Sequence, residues 1–369
     1  MRILLDYRPA LRARTGVGEY AHELASALVR RLGPEDSLVL FSSSWKDRLK
    51  PDVISRATVV DAHIPVSVLN VAWHRLEWPP VERLAGPVDV VHSMHPLLMP
   101  ARRAAQVVTV HDLYFLDAPE NTAREIRRDY PALADSHARR ADAVITVSAY
   151  TAERVRSTFR VDGERLTICP NGAPAWAPQR HIASRGHLLF MGTIEPRKNV
   201  ATLLRAYAEL LTRRPDAPNL VLAGGIAPAS RHLLEDLAKP PLAGHAKHVG
   251  YVSGLDRENL YRGASMLVLP SFDEGFGLPA LEAMTLGVPV VVSSRGALPE
   301  VVGTAGSIVD PDDVAGLASA MERLLTDRDF AEQRSRDGLV QSKHFSWDAS
   351  AARLLEAYRA AVERRKSRP

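Results

Sequence analysis

The sequence predicts an α/β protein built as two domains, each with a parallel sheet covered by helices on both faces. Three observations predict it. Short, continuous, β-branched runs recur along all 369 residues, and runs without polar alternation are how strands buried on both faces read. Stretches with apolar residues at helical spacing lie between them, and strand–helix–strand alternation implies parallel pairing through right-handed crossovers. The rhythm breaks at a Pro- and Gly-rich stretch, Pro170 to Pro178, and then starts again.

The first series of predicted strands is Ile3–Asp6, Leu38–Phe41, Val88–His92, Val107–Val110, Ala143–Val147 and Leu166–Cys169. The second is Leu188–Met191, Leu220–Ala223, His248–Tyr251, Met266–Leu269, Val288–Val292 and Ser307–Val309. Between them, the stretch from Gly18 to Arg31 places Leu24 and Leu28 on one face, with Leu32 following. Val200 to Leu211 places Leu203, Leu204, Tyr207, Leu210 and Leu211 at helical spacing, and Asp313 to Leu325 reads the same way. The domains are therefore expected at 1–178 and 179–345, followed by a terminal helix over 346–369. That helix carries one apolar stripe of Trp347, Ala351, Leu354, Leu355, Tyr358 and Val362. It needs a partner surface, on its own domain or back on the first.

Length agrees with two domains, at roughly 100–200 residues each. With 46% apolar and 24% charged residues, the chain falls in the ordinary globular range. Cys169 is the single cysteine, so an internal disulfide and a Cys-rich metal site are excluded. The net charge is +4. Arg359, Arg364, Arg365, Lys366 and Arg368, set against Glu363, account for all of it. The remainder is near neutral, which argues against a broad nucleic-acid face. A solvated helix end is the plain reading of this tail, and a membrane-surface contact is the alternative. The N-terminus turns polar within six residues, and no apolar run approaches about 18 residues. The expectation is a cytoplasmic protein, with peripheral contact at the inner face of the membrane as the variant.

In open α/β sheets, ligands sit at the carboxyl ends of the strands, so the segments after each strand carry the chemistry. Ser271 to Glu282 follows the strand Met266–Leu269 and opens a helix. Gly275 and Gly277 let a ligand approach the backbone, Pro279 suits a first helical turn, and the helix start offers N–H groups to a phosphate. Glu274 and Glu282 flank this turn, and a carboxylate accepts two hydroxyl hydrogen bonds, as sugars and ribose require. The plain alternative is a helix with ordinary acids near its start. Gly192 to Asn199 follows Leu188–Met191. Arg197 and Lys198, adjacent and just ahead of a helix, suit a diphosphate; the alternative is a solvated loop with Asn199 as a cap. Thr15 to Tyr20 places Gly16 and Gly18 between the first strand and the first helix, which suits phosphate approach or a plain glycine turn. His111 and Asp112 directly follow Val107–Val110, where a histidine beside an acid acts on a polar substrate or simply packs.

Two patterns look metal-binding and are read otherwise. Asp310-Pro311-Asp312 resembles an acidic Mn²⁺ pair but precedes an apolar-periodic helix, so a turn and helix cap is the reading. His92 and His95 lack a third ligand at an obvious spacing. No metal is expected.

Taken in order, these segments resemble glycosyltransferase family 4, of the GT-B architecture, over nearly the whole chain. The resemblance lies in Gly16-Val17-Gly18-Glu19-Tyr20, His111-Asp112-Leu113, Val147 to Thr151, Pro170-Asn171-Gly172, Gly192 to Asn199, Glu274 to Glu282 and Phe345-Ser346-Trp347. It implies two Rossmann-like domains facing across a cleft, an acceptor-binding first domain, a nucleotide-sugar-binding second domain, and a terminal helix crossing back to the first. It implies that Glu282 holds the ribose hydroxyls and that Glu274 contacts the transferred sugar, with the backbone of Gly275, Phe276, Gly277 and Leu278 nearby. It further implies that Lys198 and Arg197 neutralise the leaving diphosphate, that Gly16 and Gly18 face it, and that His111 lies near the reacting sugar. Many relatives have an Arg where Thr193 follows Gly192 here, which leaves Arg197's role open. The activity implied is retaining, metal-independent transfer of a hexose to a glycan, lipid-linked or small-molecule acceptor, with a nucleotide-diphospho-sugar as co-substrate and no further cofactor. The variant Gly192 to Asn199 resembles mannosyltransferase-like members, so GDP-mannose is the expected donor. Trp73, Trp78, Arg124, Arg127 and Arg128 are candidates to line the acceptor site, or else are core packing and a solvated helix face. The alternatives are a nucleotide-sugar epimerase, against which the lone Gly-x-Gly argues, and a non-enzymatic nucleotide- or sugar-binding protein.

Overall fold

The computed structural model describes residues 1–11, 14, 16–122, 124–179 and 186–368, without the side chains of Arg124 and Glu125. Thr15 and the Arg124 side chain, both singled out above, lie outside the described residues. The chain divides into two compact units, Met1–Gly172 with Ser346–Pro369, and Ala173–Phe345.

The first unit holds seven strands: β1 (Arg2–Asp6), β2 (Ser37–Ser42), β3 (Thr58–Asp61), β4 (Val90–Ser93), β5 (Ala105–Val110), β6 (Ala143–Thr146) and β7 (Leu166–Ile168). They form one parallel sheet in the order β3-β2-β1-β4-β5-β6-β7. The order reverses direction beside β1, so the β1/β4 boundary is the switch point where such sheets open a crevice. The sequence reading missed β3. It is an edge strand with only Val59 and Val60 as apolar residues, none of its four positions fully buried, so it leaves no continuous apolar run to detect.

The helix Trp347–Lys366 belongs to this unit. Its apolar stripe lies against the helix Gly16–Arg31 and strand β5. Burial alone would let such a helix slide; polar contacts fix its register. Tyr358 Oη lies 2.5 Å from His92 Nδ1, and Arg30 pairs with Asp348 at 2.8 Å. His92 is fully buried, and its other ring nitrogen lies 2.8 Å from Thr109 Oγ1. That use of both nitrogens makes His92 a packing residue.

The second unit holds β8 (His187–Met191), β9 (Leu220–Ala223), β10 (Ala246–Gly250), β11 (Ala264–Leu269), β12 (Val290–Ser293) and β13 (Ser307–Val309). These are parallel in the order β10-β9-β8-β11-β12-β13, with the switch point at β8/β11. The helix Val200–Arg213 buries Leu203, Leu204, Tyr207, Leu210 and Leu211, each leucine contributing roughly 1.5–3 kcal/mol relative to exposure. The second unit begins at Ala173, inside the Pro/Gly-rich stretch and ahead of residue 178. The reason is local packing: Trp176 lies against Tyr261 with ring centroids 5.7 Å apart, and Arg262 Nη2 donates to the Ala177 carbonyl at 2.9 Å.

Two local readings are corrected. Asp313, and neither Asp310 nor Asp312, caps the helix Val314–Thr326, accepting from Gly316 N at 2.8 Å. Asn199 stands at the start of Val200–Arg213 but makes no side-chain cap. Its Nδ2 instead donates to the carbonyls of Pro270 at 3.1 Å and Pro311 at 2.8 Å, tying together the loops that follow β11 and β13.

Candidate active site

In the second unit the β8/β11 switch point gathers the residues singled out after those strands. The chain leaves β8 through Gly192 and forms a short 3₁₀ turn over Pro196–Lys198. It leaves β11 through Pro270 and Ser271 to reach Glu274. Phe272 N donates to the Arg197 carbonyl at 2.8 Å, so the two loops are locked backbone to backbone. Lys198 Nζ pairs with Glu274 Oε1. Ser271 Oγ donates to the same oxygen at 2.8 Å. Arg197 Nη1 lies 3.4 Å from Glu274 Oε2 and donates to the Asp273 carbonyl at 3.0 Å, while Nη2 pairs with Glu195 at 2.8 Å.

Lys198 and Glu274 are buried. Burial pushes the Glu274 carboxyl up, but Lys198 first and then Arg197 outweigh it and hold the group below its ordinary value of 4.5. The result is an ionised acid and two cations in one low-dielectric place, where charges interact more strongly than in water. A carboxylate here accepts hydroxyls, and the cations can stabilise negative charge that develops on a leaving group.

Gly277 turns the chain into the helix Leu278–Thr285 with φ of +99°. A side chain there would also sit 2.5 Å from Leu298 Cδ2. Both the turn and the space demand glycine. The helix then begins at Leu278 with Pro279, which has no N–H, in its first turn; Ala280 N donates to the Gly277 carbonyl at 2.9 Å, and the dipole at this end favours an anion.

Glu282 is buried on this helix. Tyr261 Oη donates to its Oε2 at 2.6 Å, and Arg257 pairs with its Oε1. Arg257 and Tyr261 stand four residues apart on the helix Gly254–Arg262, so they share one face. Burial first, and Glu282 next, raise the Tyr261 hydroxyl well above its ordinary value, which keeps it a donor. Sequence reading missed both residues. Their spacing is visible in the chain, but nothing local says which face of that polar helix meets Glu282.

In the first unit, His111 follows β5. Its Nε2 lies 3.1 Å from the Met94 carbonyl. A carbonyl only accepts, so Nε2 carries the proton and Nδ1 keeps its lone pair. Tyr20 packs edge-on to the ring at 4.8 Å, and Thr151 Oγ1 donates to the His111 carbonyl at 3.2 Å. Burial lowers the imidazole to about 4, so the ring is neutral near pH 7 and can accept a proton or a hydroxyl hydrogen bond.

Gly16 and Gly18 open the helix Gly16–Arg31. Gly16 is exposed, with open space where a side chain would go. Gly18 is buried, and a Cβ there would sit 2.6 Å from the Pro9 carbonyl oxygen. Close packing of helix on loop is therefore a sufficient reason for Gly18.

The first unit's switch point holds a cavity of about 130 Å³. Fully buried Asp6 receives Arg8 Nε and Nη2, both at 2.8 Å, and His95 Nε2 lies 3.5 Å away. Arg8 also donates to Asn70 at 2.9 Å. His74 meets Asp129 at 3.0 Å, and Tyr130 stacks with His95 at 5.9 Å. Of these lining residues only His95 was weighed from the sequence, and there as a metal ligand rather than as part of a binding cavity. Of those that were, Trp73 is core, donating to the Pro79 carbonyl at 2.9 Å. Arg128 pairs with Asp129 at 2.6 Å, Arg127 is exposed, and Trp78 is 52% exposed.

Asp312 and Asp310 are exposed and pair with Arg295 at 2.6 and 3.6 Å. Among the described residues, no cluster of three or more His, Cys, Asp or Glu could hold a metal, and no helix is long and apolar enough to cross a membrane.

Comparison with known proteins bears on this geometry. Residues 14–175 match the model for Glycosyltransferase Family 4, and residues 185–327 match that for Glycosyl transferases group 1. The chain is 29% identical to the O-antigen chain mannosyltransferase B of Escherichia coli, over 97% of this chain and 100% of that protein. It is 32% identical to the D-inositol 3-phosphate glycosyltransferase of Nocardia farcinica, over 76% of this chain and 68% of that one. Sucrose-phosphate synthase from Thermosynechococcus elongatus superposes with a TM-score of 0.78 at 22% identity, covering 97% of this chain and 98% of that structure. With two parallel-sheet units and a terminal helix returned to the first, and with this sequence similarity, the chain is a glycosyltransferase of GT-B fold and belongs to glycosyltransferase family 4.

Proposed function

We propose that the protein transfers mannose from GDP-mannose to a hydroxyl of a glycan, lipid-linked or small-molecule acceptor, with retention of anomeric configuration and without a metal. The observation that carries the reading is the buried constellation of Lys198, Arg197 and Glu274 beside the start of the helix Leu278–Thr285. Mannose is favoured by the similarity to the Escherichia coli O-antigen chain mannosyltransferase B, which aligns over its whole length.

The anomeric C–O bond to the diphosphate breaks, and a C–O bond to the acceptor hydroxyl forms. The acceptor proton passes to an oxygen of the leaving diphosphate. Lys198 and Arg197 stabilise the negative charge that grows there, and Glu274 holds the sugar hydroxyls. Glu282, steadied by Tyr261 and Arg257, accepts the ribose hydroxyls. No carboxylate is assigned as a nucleophile, in contrast to retaining glycosidases. The acceptor sugar binds the polar cavity of Asp6, Arg8, His74 and His95 in the first unit, with His111 neutral toward the reacting sugar. Catalysis takes place in the cytoplasm.

The test is a thermal-shift panel of GDP, UDP, ADP and TDP with their sugar conjugates, repeated on Lys198→Ala. A ligand at 100 times its dissociation constant adds about 2.7 kcal/mol to stability. A selective GDP-mannose shift, weakened in the variant, is expected. A larger shift with another nucleotide reassigns the donor, and no shift with any nucleotide overturns the donor site.

A further inference from the structure

A second cavity, of about 600 Å³, lies in the first unit. Gln106, near the start of β5, lines it. That places it at the amino edge of the sheet, away from the carboxyl edge that carries Asp6 and His111. Its wall is basic: Arg102, Arg139, Arg140, Arg365 and Arg368 converge there from three separate chain segments. Glu77 is the one acid among the described lining residues, and it pairs with Arg140 at 2.7 Å. The terminal arginines are held in place rather than loosely solvated. Arg365 donates to the Arg102 carbonyl at 2.9 Å, and Arg368 to the Arg140 carbonyl at 3.1 Å while pairing with Asp142.

The rim beside this basic wall is apolar. Trp78 lines the cavity and is half exposed, with Arg83 lying 5.9 Å over its ring. The helix Val66–Leu76, which ends at this rim, points Leu69 and Trp73 inward but leaves Val68, Val71 and Leu76 outward, Leu76 at 72% exposure. Single exposed apolar residues are ordinary; several on one helix and the tryptophan after it form a surface with a purpose. An apolar face beside a row of arginines, with a tryptophan at their boundary, matches the layering of a bilayer interface, where acyl chain, glycerol backbone and phosphate follow in order.

We propose that this face docks on an anionic phospholipid bilayer. Arg102, Arg139, Arg140, Arg365 and Arg368 take the phosphodiester headgroups, while Trp78 and Leu76 enter the acyl boundary. The amino edge of the sheet then faces the lipid, and the carboxyl edge with His111 is left clear of it.

The full chain is tested by co-sedimentation with vesicles of phosphatidylglycerol mixed with phosphatidylcholine, against pure phosphatidylcholine. Neither donor nor acceptor is present, so the outcome is independent of the proposed transfer reaction. Selective, salt-sensitive partition onto the anionic vesicles is expected. Each arginine is expected to contribute about fivefold to partition, so Arg102→Glu/Arg365→Glu lowers it at least twentyfold, about twice that logarithmic step, while Arg102→Lys/Arg365→Lys retains it. Trp78→Ser weakens binding with an unchanged circular-dichroism melt. Equal partition onto both vesicle types, or an unchanged value in the charge-reversed variant, overturns the proposal. So does stabilisation by free glycerol 3-phosphate without vesicle binding, which makes the cavity a site for a small soluble phosphate.

Discussion

Lys198 and Glu274, 76 residues apart in sequence, meet as a buried ion pair between the loop after β8 and the loop after β11. Neither charge has much water to return to, so each depends on the other. Removing one partner of such a pair costs about 3–5 kcal/mol because it strands the survivor. Ser271 and Arg197 soften that cost on the Glu274 side.

Glu274→Gln is expected to abolish transfer, lowering kcat/KM at least about a hundredfold, as loss of a charge-placing group does. Lys198→Met is expected to do the same. In a double-mutant cycle on chemical denaturation, the two substitutions should couple by about 0.5–3 kcal/mol. Additive stability effects would show that the pair is not formed in solution.

The depressed carboxyl of Glu274 sets a direction for pH. A group whose folded value lies below its ordinary 4.5 contributes stability that is fully present above that value and is lost as pH falls through the folded value. The melting temperature of the native chain should therefore fall more steeply below pH 4.5 than that of Glu274→Gln. Parallel curves would contradict the ionised, paired state.

The His111 imidazole is lowered to about 4 by a different cause, its burial. Burial favours the neutral ring, so its contribution is present above 6.5, the ordinary value, and fades as pH falls from there toward 4. Ring proton shifts of His111 followed by NMR should stay flat from pH 8 to about 5.5. A midpoint near the ordinary value would mean that the ring is solvated.

Tyr261→Phe removes one donor from Glu282 and keeps the ring against Trp176. A lost hydrogen bond to a charged group is worth about 1.5–3 kcal/mol, so KM for the donor should rise at least tenfold while kcat changes little. A changed kcat with constant KM would move Glu282 from ribose binding to the reacting sugar.

The two glycines at the first helix should separate. Gly18→Ala forces a Cβ to 2.6 Å from the Pro9 carbonyl oxygen, and overpacking of that kind costs about 1–3 kcal/mol. Gly16→Ala meets nothing within 4 Å and should leave the melt unchanged. If the stable Gly16→Ala loses activity, that position approaches the donor; if it keeps full activity, the glycine is a turn residue. Asp310→Asn/Asp312→Asn should retain activity in the presence of EDTA, because Arg295 already engages that exposed pair.

What the chain determined by itself was everything that follows from local pattern. Buried parallel strands are continuous apolar runs, so all strands but β3 were legible, and β3 failed because an edge strand with two valines has no such run. The loops that hold the candidate site residues were legible for a related reason: they are short, rich in Gly and Pro, and directly follow strands, so Lys198, Glu274 and His111 could be singled out as candidates without knowing their partners. Only the tertiary structure decided what each of them touches. Glu282 looks like any helix acid until the polar face of Gly254–Arg262 closes on it. Asp6 reads as a strand end until Arg8 and His95 converge there, and Trp78 joins the terminal arginines across nearly the whole sequence. Charge pairing and hydrogen bonding act over a few ångströms, so they depend on which distant segments the sheet order brings side by side, and no local periodicity encodes that.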